Sequence, residues 1–232
     1  MAEQIRRQFV KFNFFKIDPG WRRLPESERE AGKRAFQSVL ERYADRIILR
    51  SYSLVGIRGD CDFLLWVISE DLDAFPTLTA ELLETGLGQY ASLPYSYLSQ
   101  TRRSMYVDKH RHEGQEGSRL TVRPGKAKYL FVYPFVKTRA WYALPKERRQ
   151  EMMDTHIKVG HTFPSVKLHT TYSYGLDDQE FVLAFETDHP SDFLDLVMTL
   201  RETEASAYTE RDTPIFTCIA ARPGEMLDLL GG

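Results

Sequence analysis

Cysteine is scarce in this sequence: two residues in 232, Cys61 and Cys218. Both sit inside apolar runs, so they read as small buried hydrophobes and not as a disulfide framework or a thiolate metal site. Long apolar runs are missing as well. No stretch approaches the about 18 residues that a membrane span needs, and the opening Met-Ala-Glu-Gln-Ile-Arg-Arg lacks the apolar core of a signal peptide. Charge of one sign is also missing. With 31 basic and 33 acidic residues the net charge is −2, too small to draw the chain to nucleic acid or a membrane surface. What these absences leave is a globular cytoplasmic protein, long enough to bury a substantial core as one large domain or two smaller ones.

The chain then shows regular alternation of patterns. Phe9 to Ile17 has strand composition and ends at Asp18-Pro-Gly. From Glu26 to Asp45, apolar residues recur at spacings of three and four (Ala35, Phe36, Val39, Leu40, Tyr43), which predicts an amphipathic helix. Strands follow at 47–55 and 62–68, a helix at 71–90 interrupted near Pro76, and a strand at 93–106. Residues 108–128 are polar and glycine-containing, and read as a linker or entrance loop; His110 and His112 within it read as solvated. The pattern then restarts: strand 129–137, helix 146–160, strands 166–174 and 180–187, helix 192–208, strand 214–221.

The restart is a repeat. Trp21-x-x-Leu24-Pro25-x-x-x-Arg29 recurs 120 residues later as Trp141-x-x-Leu144-Pro145-x-x-x-Arg149, and Tyr52-Ser53 recurs as Tyr172-Ser173. Each half reads β-α-β-β-α-β, a ferredoxin-like unit whose helices cover one sheet face. Pairing the two sheets covers the other face. The expected fold is therefore α+β, two tandem ferredoxin-like halves in a dimeric α+β barrel-type protomer. The expected division is 1–107 for the first half, 108–128 for the linker and 129–232 for the second half.

The halves differ at one position with chemical consequence. His156, in Met152-Met153-x-x-His156-x-x-x-Gly160, corresponds to Phe36 under the same shift. Met152, His156 and Gly160 share a helix face. A neutral imidazole on such a face suits the fifth position of a porphyrin iron, although on pattern alone a core histidine is the commoner outcome. Tyr133 in an apolar strand, Lys137 at its end, and Arg201 and Ser206 near a helix end carry no signal singly. Glu202 and Glu204, beside Thr203–Tyr208, are expected near enough to orient a ligating imidazole.

Together these residues resemble the chlorite dismutase family of heme proteins. The resemblance is carried by Tyr133-Pro-Phe-Val-Lys137, Trp141-Tyr-x-Leu-Pro145, His156-x-x-x-Gly160, Gly175-Leu-Asp-Asp178 and Leu200-Arg-Glu-Thr-Glu-Ala-Ser206. It implies heme in the second half, a homopentamer, and His156 as the proximal iron ligand. Chlorite dismutases of this family carry a distal Arg. Alignment through Gly175-Leu-Asp-Asp178 puts Leu168 in that place, counting forward from His156 puts His169 there, and the Arg is absent either way. The resemblance to the coproheme decarboxylase branch implies conversion of iron-coproporphyrin III to heme b, with hydrogen peroxide as oxidant and loss of two propionate carboxyls as carbon dioxide. On that reading Tyr133 and Lys137 are catalytic, and Lys137, Arg201, Ser206 and Arg119 contact propionates. A ferrochelatase would supply the substrate. The sequence departs from the branch at Leu168, where a Gln often stands, and at Phe135, where a Met does. The alternative reading is a family heme protein with weak peroxidase-like activity, or a heme carrier or sensor.

Overall fold

The computed structural model describes residues 6–104, 106 and 120–231. The chain divides into two compact units, which are taken separately below.

The first unit holds residues 6–98 and the chain from Thr217 onward. Its elements are β1 (Phe9–Ile17), α1 (Glu26–Arg42), β2 (Ile48–Ser53), β3 (Phe63–Ser69), α2 (Ala74–Glu84) and β4 (Ala91–Gln100), the last two residues of β4 belonging to the other unit. The strand order β4-β1-β3-β2 is that of a ferredoxin-like sheet. Registers are antiparallel throughout β1/β3 and β2/β3, with Phe15 opposite Phe63 and Ser53 opposite the same residue. All seven residues of β3 are buried, as the unbroken apolar run requires of a central strand. Helix α1 starts after Pro25 with Glu26 and Glu28 in its first turn and ends with Arg42 in its last, charges that complement the helix dipole. Its inward face puts Phe36 edge-on against Phe15 (centroids 6.2 Å) and Phe63 (5.9 Å), in a core that also holds Trp21, Leu40, Leu65 and Leu78. Pro76 sits in the first turn of α2, where its missing N–H costs nothing, so the helix starts there and is not interrupted by it.

The second unit, from Ser99 to Phe216, holds β5 (Tyr129–Lys137), α3 (Arg139–Ala143), α4 (Lys146–Gly160), β6 (Lys167–Tyr172), β7 (Phe181–Thr187), α5 (Pro190–Arg201) and β8 (Thr209–Arg211). Its sheet runs β6-β7-β5-β8, all antiparallel. Three differences from the sequence reading matter. The helix expected over 192–208 stops at Arg201; a separate 3-10 turn covers Glu204–Tyr208, so Ser206 is not on α5. The division expected at 232 is displaced. Strand β9 (Phe216–Ala220) sets Ala220 opposite Tyr52 and Ile219 opposite Ser53, and α6 (Pro223–Asp228) buries Met226 and Leu227 in the first unit's core. The 108–128 linker is described only from residue 120, and that part is tied down: the Gly125 N–H donates to Glu186 (2.9 Å), and the Lys128 N–H to Asp188 (2.8 Å). Arg119, His110 and His112 lie outside the described residues.

Cys61 and Cys218 are buried thiols of the first unit; burial pushes the Cys61 thiol up to about 12 and Cys218 well above its ordinary value, so both are inert. Among the described residues no helix is long and apolar enough to cross a membrane.

Candidate functional site

Strand alternation decides which residues of the second unit can meet. Register pairs Tyr133 with Leu183 and Leu183 with Thr170; likewise Phe131 with Phe185 and Phe185 with Leu168. One sheet face therefore carries Phe131, Tyr133 and Phe135 of β5, Phe181, Leu183 and Phe185 of β7, and Leu168 and Thr170 of β6. This is the face the helices cover. Phe193 of α5 stacks on Phe131 at 4.1 Å and lies 5.0 Å from Phe185, while Val159 and Phe163 pack against the same cluster from the α4 side.

Helix α4 and the turn after it present an inward line at spacings of four, three and four. Met152 is buried against Trp141 and Ala205, and Val159 and Phe163 meet the Tyr133 cluster. His156 stands between them. Its Nδ1 is buried without a hydrogen-bond partner among the described residues. Burial, helped by the charge of Lys137, pushes its pKa down to about 4, so the imidazole is neutral at pH 7 with a lone pair available. Glu202 and Glu204 do not orient it. Glu204 accepts from Arg148 (2.5 Å), outside the groove, and both carboxylates are exposed.

Lys137 is buried, with 8% of its surface exposed. Its Nζ donates to the Ala205 carbonyl (2.6 Å) and lies 4.6 Å from the centre of the Trp141 ring. Burial lowers its pKa to about 8, against the opposing pull of Glu180. Glu180 in turn accepts the Lys137 N–H (2.8 Å) and the Tyr142 hydroxyl (2.5 Å). Lys137 is thus turned toward the His156 side, and is not an exposed clamp at a strand end.

Tyr133 is buried, and desolvation followed by the charge of Asp212 raises its phenol pKa, with Arg201 acting in the opposite direction. Arg201, half-exposed, pairs with Asp212. The Ser206 hydroxyl donates to the Arg201 carbonyl (2.8 Å), and the Thr203 hydroxyl closes α5 by donating to the Leu200 carbonyl (2.7 Å). The fold therefore links Tyr133, Arg201, Ser206, Lys137 and His156 through adjoining groups of one unit. Asp212 and Glu180 belong to that set and were not legible singly, because carboxylates near strand ends are ordinary.

Leu168 and His169 separate cleanly. Leu168 is 48% exposed on the helix-covered face. His169 is buried on the other face, where its Nε2 bonds Glu186 at 2.6 Å.

Two ferredoxin-like halves, with a neutral imidazole in the second whose Nδ1 has no partner among the described residues, define a tandem α+β protein whose second unit carries the candidate site. A sequence profile described as chlorite dismutase matches residues 7–221, and the chain belongs to the chlorite dismutase family. It is 28% identical to a coproheme decarboxylase of Mycolicibacterium smegmatis over 212 residues, covering 90% of this chain and 88% of the relative. It is 27% identical to the chlorite dismutase of Ideonella dechloratans over 208 residues, covering 88% and 72%. Among solved structures, a mutant chlorite dismutase from Candidatus Nitrospira defluvii superposes with a TM-score of 0.88 at 24% identity, covering 97% of this chain and 96% of that one. A heme-binding protein from Thermus thermophilus superposes at 0.84 with 22% identity, covering 96% and 94%. These last two speak to the fold.

Proposed function

We propose that this protein is a heme-binding enzyme of its family that takes iron-coproporphyrin III as substrate and, with hydrogen peroxide, converts it to heme b. The observation that carries the reading is His156: neutral, with a buried nitrogen that nothing among the described residues satisfies. The donor set fits an iron already held by porphyrin nitrogens. Among the described residues no cluster of three or more His, Cys, Asp and Glu side chains could hold a bare metal ion, whereas a porphyrin iron needs one axial imidazole. The apolar layer fits as well. Phe135, Val159, Phe163, Leu183 and Ile215 around the site are only partly buried, and a flat ligand would cover them.

Per propionate, one carboxyl leaves as carbon dioxide, two protons and two electrons go to peroxide, and two waters and a vinyl group result. The iron porphyrin supplies the one-electron oxidations when bound. On this reading Tyr133 mediates. Its raised pKa keeps the phenol protonated, so it gives up a hydrogen atom and afterwards takes one from the propionate chain. Arg201 and Ser206 hold carboxylates by charge-assisted and hydroxyl hydrogen bonds, and that positioning contributes to the rate. Burial, with a smaller contribution from the Lys137 charge, keeps His156 unprotonated. Arg119 is kept as a further propionate contact by resemblance alone. A second reading, a heme carrier or weak peroxidase, is favoured by one observation: Leu168 offers no donor to peroxide.

The experiment is to mix the protein with iron-coproporphyrin III, add hydrogen peroxide stepwise and follow porphyrin mass. Two successive losses of carbon dioxide are expected for the wild type and none for Tyr133→Phe, with binding retained. Tight binding with bleaching and no mass loss in the wild type supports the carrier reading. Decarboxylation at the wild-type rate in Tyr133→Phe removes the role given to the phenol.

A further inference from the structure

On β6 the alternation that exposes Leu168 exposes Thr170 as well, while His169 and Thr171 turn to the buried face. The Thr171 hydroxyl is used, donating to the Val182 carbonyl (3.1 Å). The Thr170 hydroxyl has no partner among the described residues. Thr170 pairs with Leu183, which pairs with Tyr133. The two hydroxyl-bearing residues thus end one cross-strand row, on the face that Phe131, Leu183, Phe185 and Leu168 otherwise make apolar. His156 belongs to the helix layer over that face. A planar ligand held by His156 turns its other side to the sheet.

We propose that Thr170 is the hydrogen-bond donor to a small anion or peroxide lying on the sheet side of the porphyrin, the role that Leu168 cannot fill. This rests on the porphyrin reading given above. A threonine hydroxyl rotates to donate where a ligand asks for it, and its branched Cβ leaves few rotamers, so the donor is held in place. Its bond to an anion is charge-assisted and strengthened by apolar surroundings. On this assignment the absence of a long polar side chain at residue 168 does not leave peroxide without a donor; the donor stands two residues further along the strand and is shorter.

The test uses ferric heme-loaded full-length protein and fluoride as the probe, titrated by absorbance at fixed pH. Fluoride accepts a hydrogen bond and is not consumed. Thr170→Val keeps the shape and removes the donor; Thr170→Ser keeps the donor. The expected result is about tenfold weaker fluoride binding in Thr170→Val, affinity within about threefold of wild type in Thr170→Ser, and the same heme affinity in all three. Unchanged fluoride affinity in Thr170→Val with normal heme binding overturns the assignment and leaves the porphyrin reading intact. Should Thr170→Val fail to take up heme, Thr170→Ala decides: about tenfold weaker fluoride binding supports the assignment, and unchanged affinity overturns it. A wild type that gives no Soret band with heme overturns both.

Discussion

His156 carries a cost in the unliganded fold that its sequence position does not announce. A buried polar atom without a partner costs about 1–3 kcal/mol, and here burial also moves the imidazole pKa from 6.5 to about 4. The sign follows from proton binding. Between those two values the unfolded chain binds a proton that the folded chain refuses, so stability falls as pH drops from about 6.5 towards 4, and nothing changes above 6.5. His156→Leu removes both the orphaned nitrogen and the titration. The ligand-free variant is therefore expected to unfold at a higher temperature than wild type, with a flatter melting temperature between pH 6.5 and pH 4. It should also give no Soret band with hemin. Calorimetry across that pH range, with one absorbance titration, checks all of this. A variant as acid-sensitive as the wild type would mean that another group controls the loss. Trading fold stability for a poised ligand is the ordinary compromise of a binding site.

Repeated elements make the same point by comparison. Helices α1 and α4 both follow a Trp-x-x-Leu-Pro turn, and the shift of 120 residues that relates them sets Phe36 against His156. In the first unit Phe36 touches both Phe15 and Phe63 and is fully buried. By strand register the counterparts of those two rings are Phe135 and Phe181, which meet each other at 6.1 Å, while His156 makes no ring contact among the described residues. The first unit packs its own aromatic at this place, and the second sets an imidazole there. Phe36→Ala is accordingly expected to destabilise the protein by about 3–5 kcal/mol, as other buried Phe truncations do, without a change in heme affinity, and denaturant melts with and without hemin measure both. The repeat and the strand periods were legible because they are local patterns, and residue 156 stood out as a place where the two halves differ. The end of α5 was not legible, because Ala205 and Tyr208, three residues apart, prolong an apolar pattern past the point where the Thr203 hydroxyl turns back to the Leu200 carbonyl. Nor was the home of residues 217–231. Their strand and helix patterns are plain, but the contact that fixes them, Ser51 donating to the Ala221 carbonyl, spans 170 residues of chain. Which face Thr170 and Leu168 share was available from alternation once β6 had an anchor in Tyr172; the competing placement of His169 came from counting along the chain instead of across the sheet.

At the scale of the whole chain, the proposed function gives the ligand to the second unit alone. This asymmetry fixes where a porphyrin should change the molecule's dynamics. A ligand that binds only the native state stabilises it by RT ln(1 + [L]/Kd), about 2.7 kcal/mol at a hundredfold excess over Kd. Amides that exchange by opening the liganded unit slow by the same factor, about a hundredfold. The surfaces a ligand would cover belong to α4, α5 and the β6/β7 face: Val159, Phe163 and Leu183 are partly buried, and Leu168 is 48% exposed. Around Phe36 in the first unit, Phe15, Phe63 and Leu65 are already inaccessible. Hydrogen exchange with and without iron-coproporphyrin III should therefore show slowing concentrated in peptides covering 146–160, 167–172, 181–187 and 190–201, with peptides from 26–42 and 63–69 changed by less than about twofold. His156→Leu should abolish the slowing in the second unit. Protection that instead appears in the first unit would mean that the ligand enters the groove Phe36 fills, and the one-site reading would be wrong. Equal protection in both units would mean that the two open only together, so that ligation of the second half stabilises the whole chain.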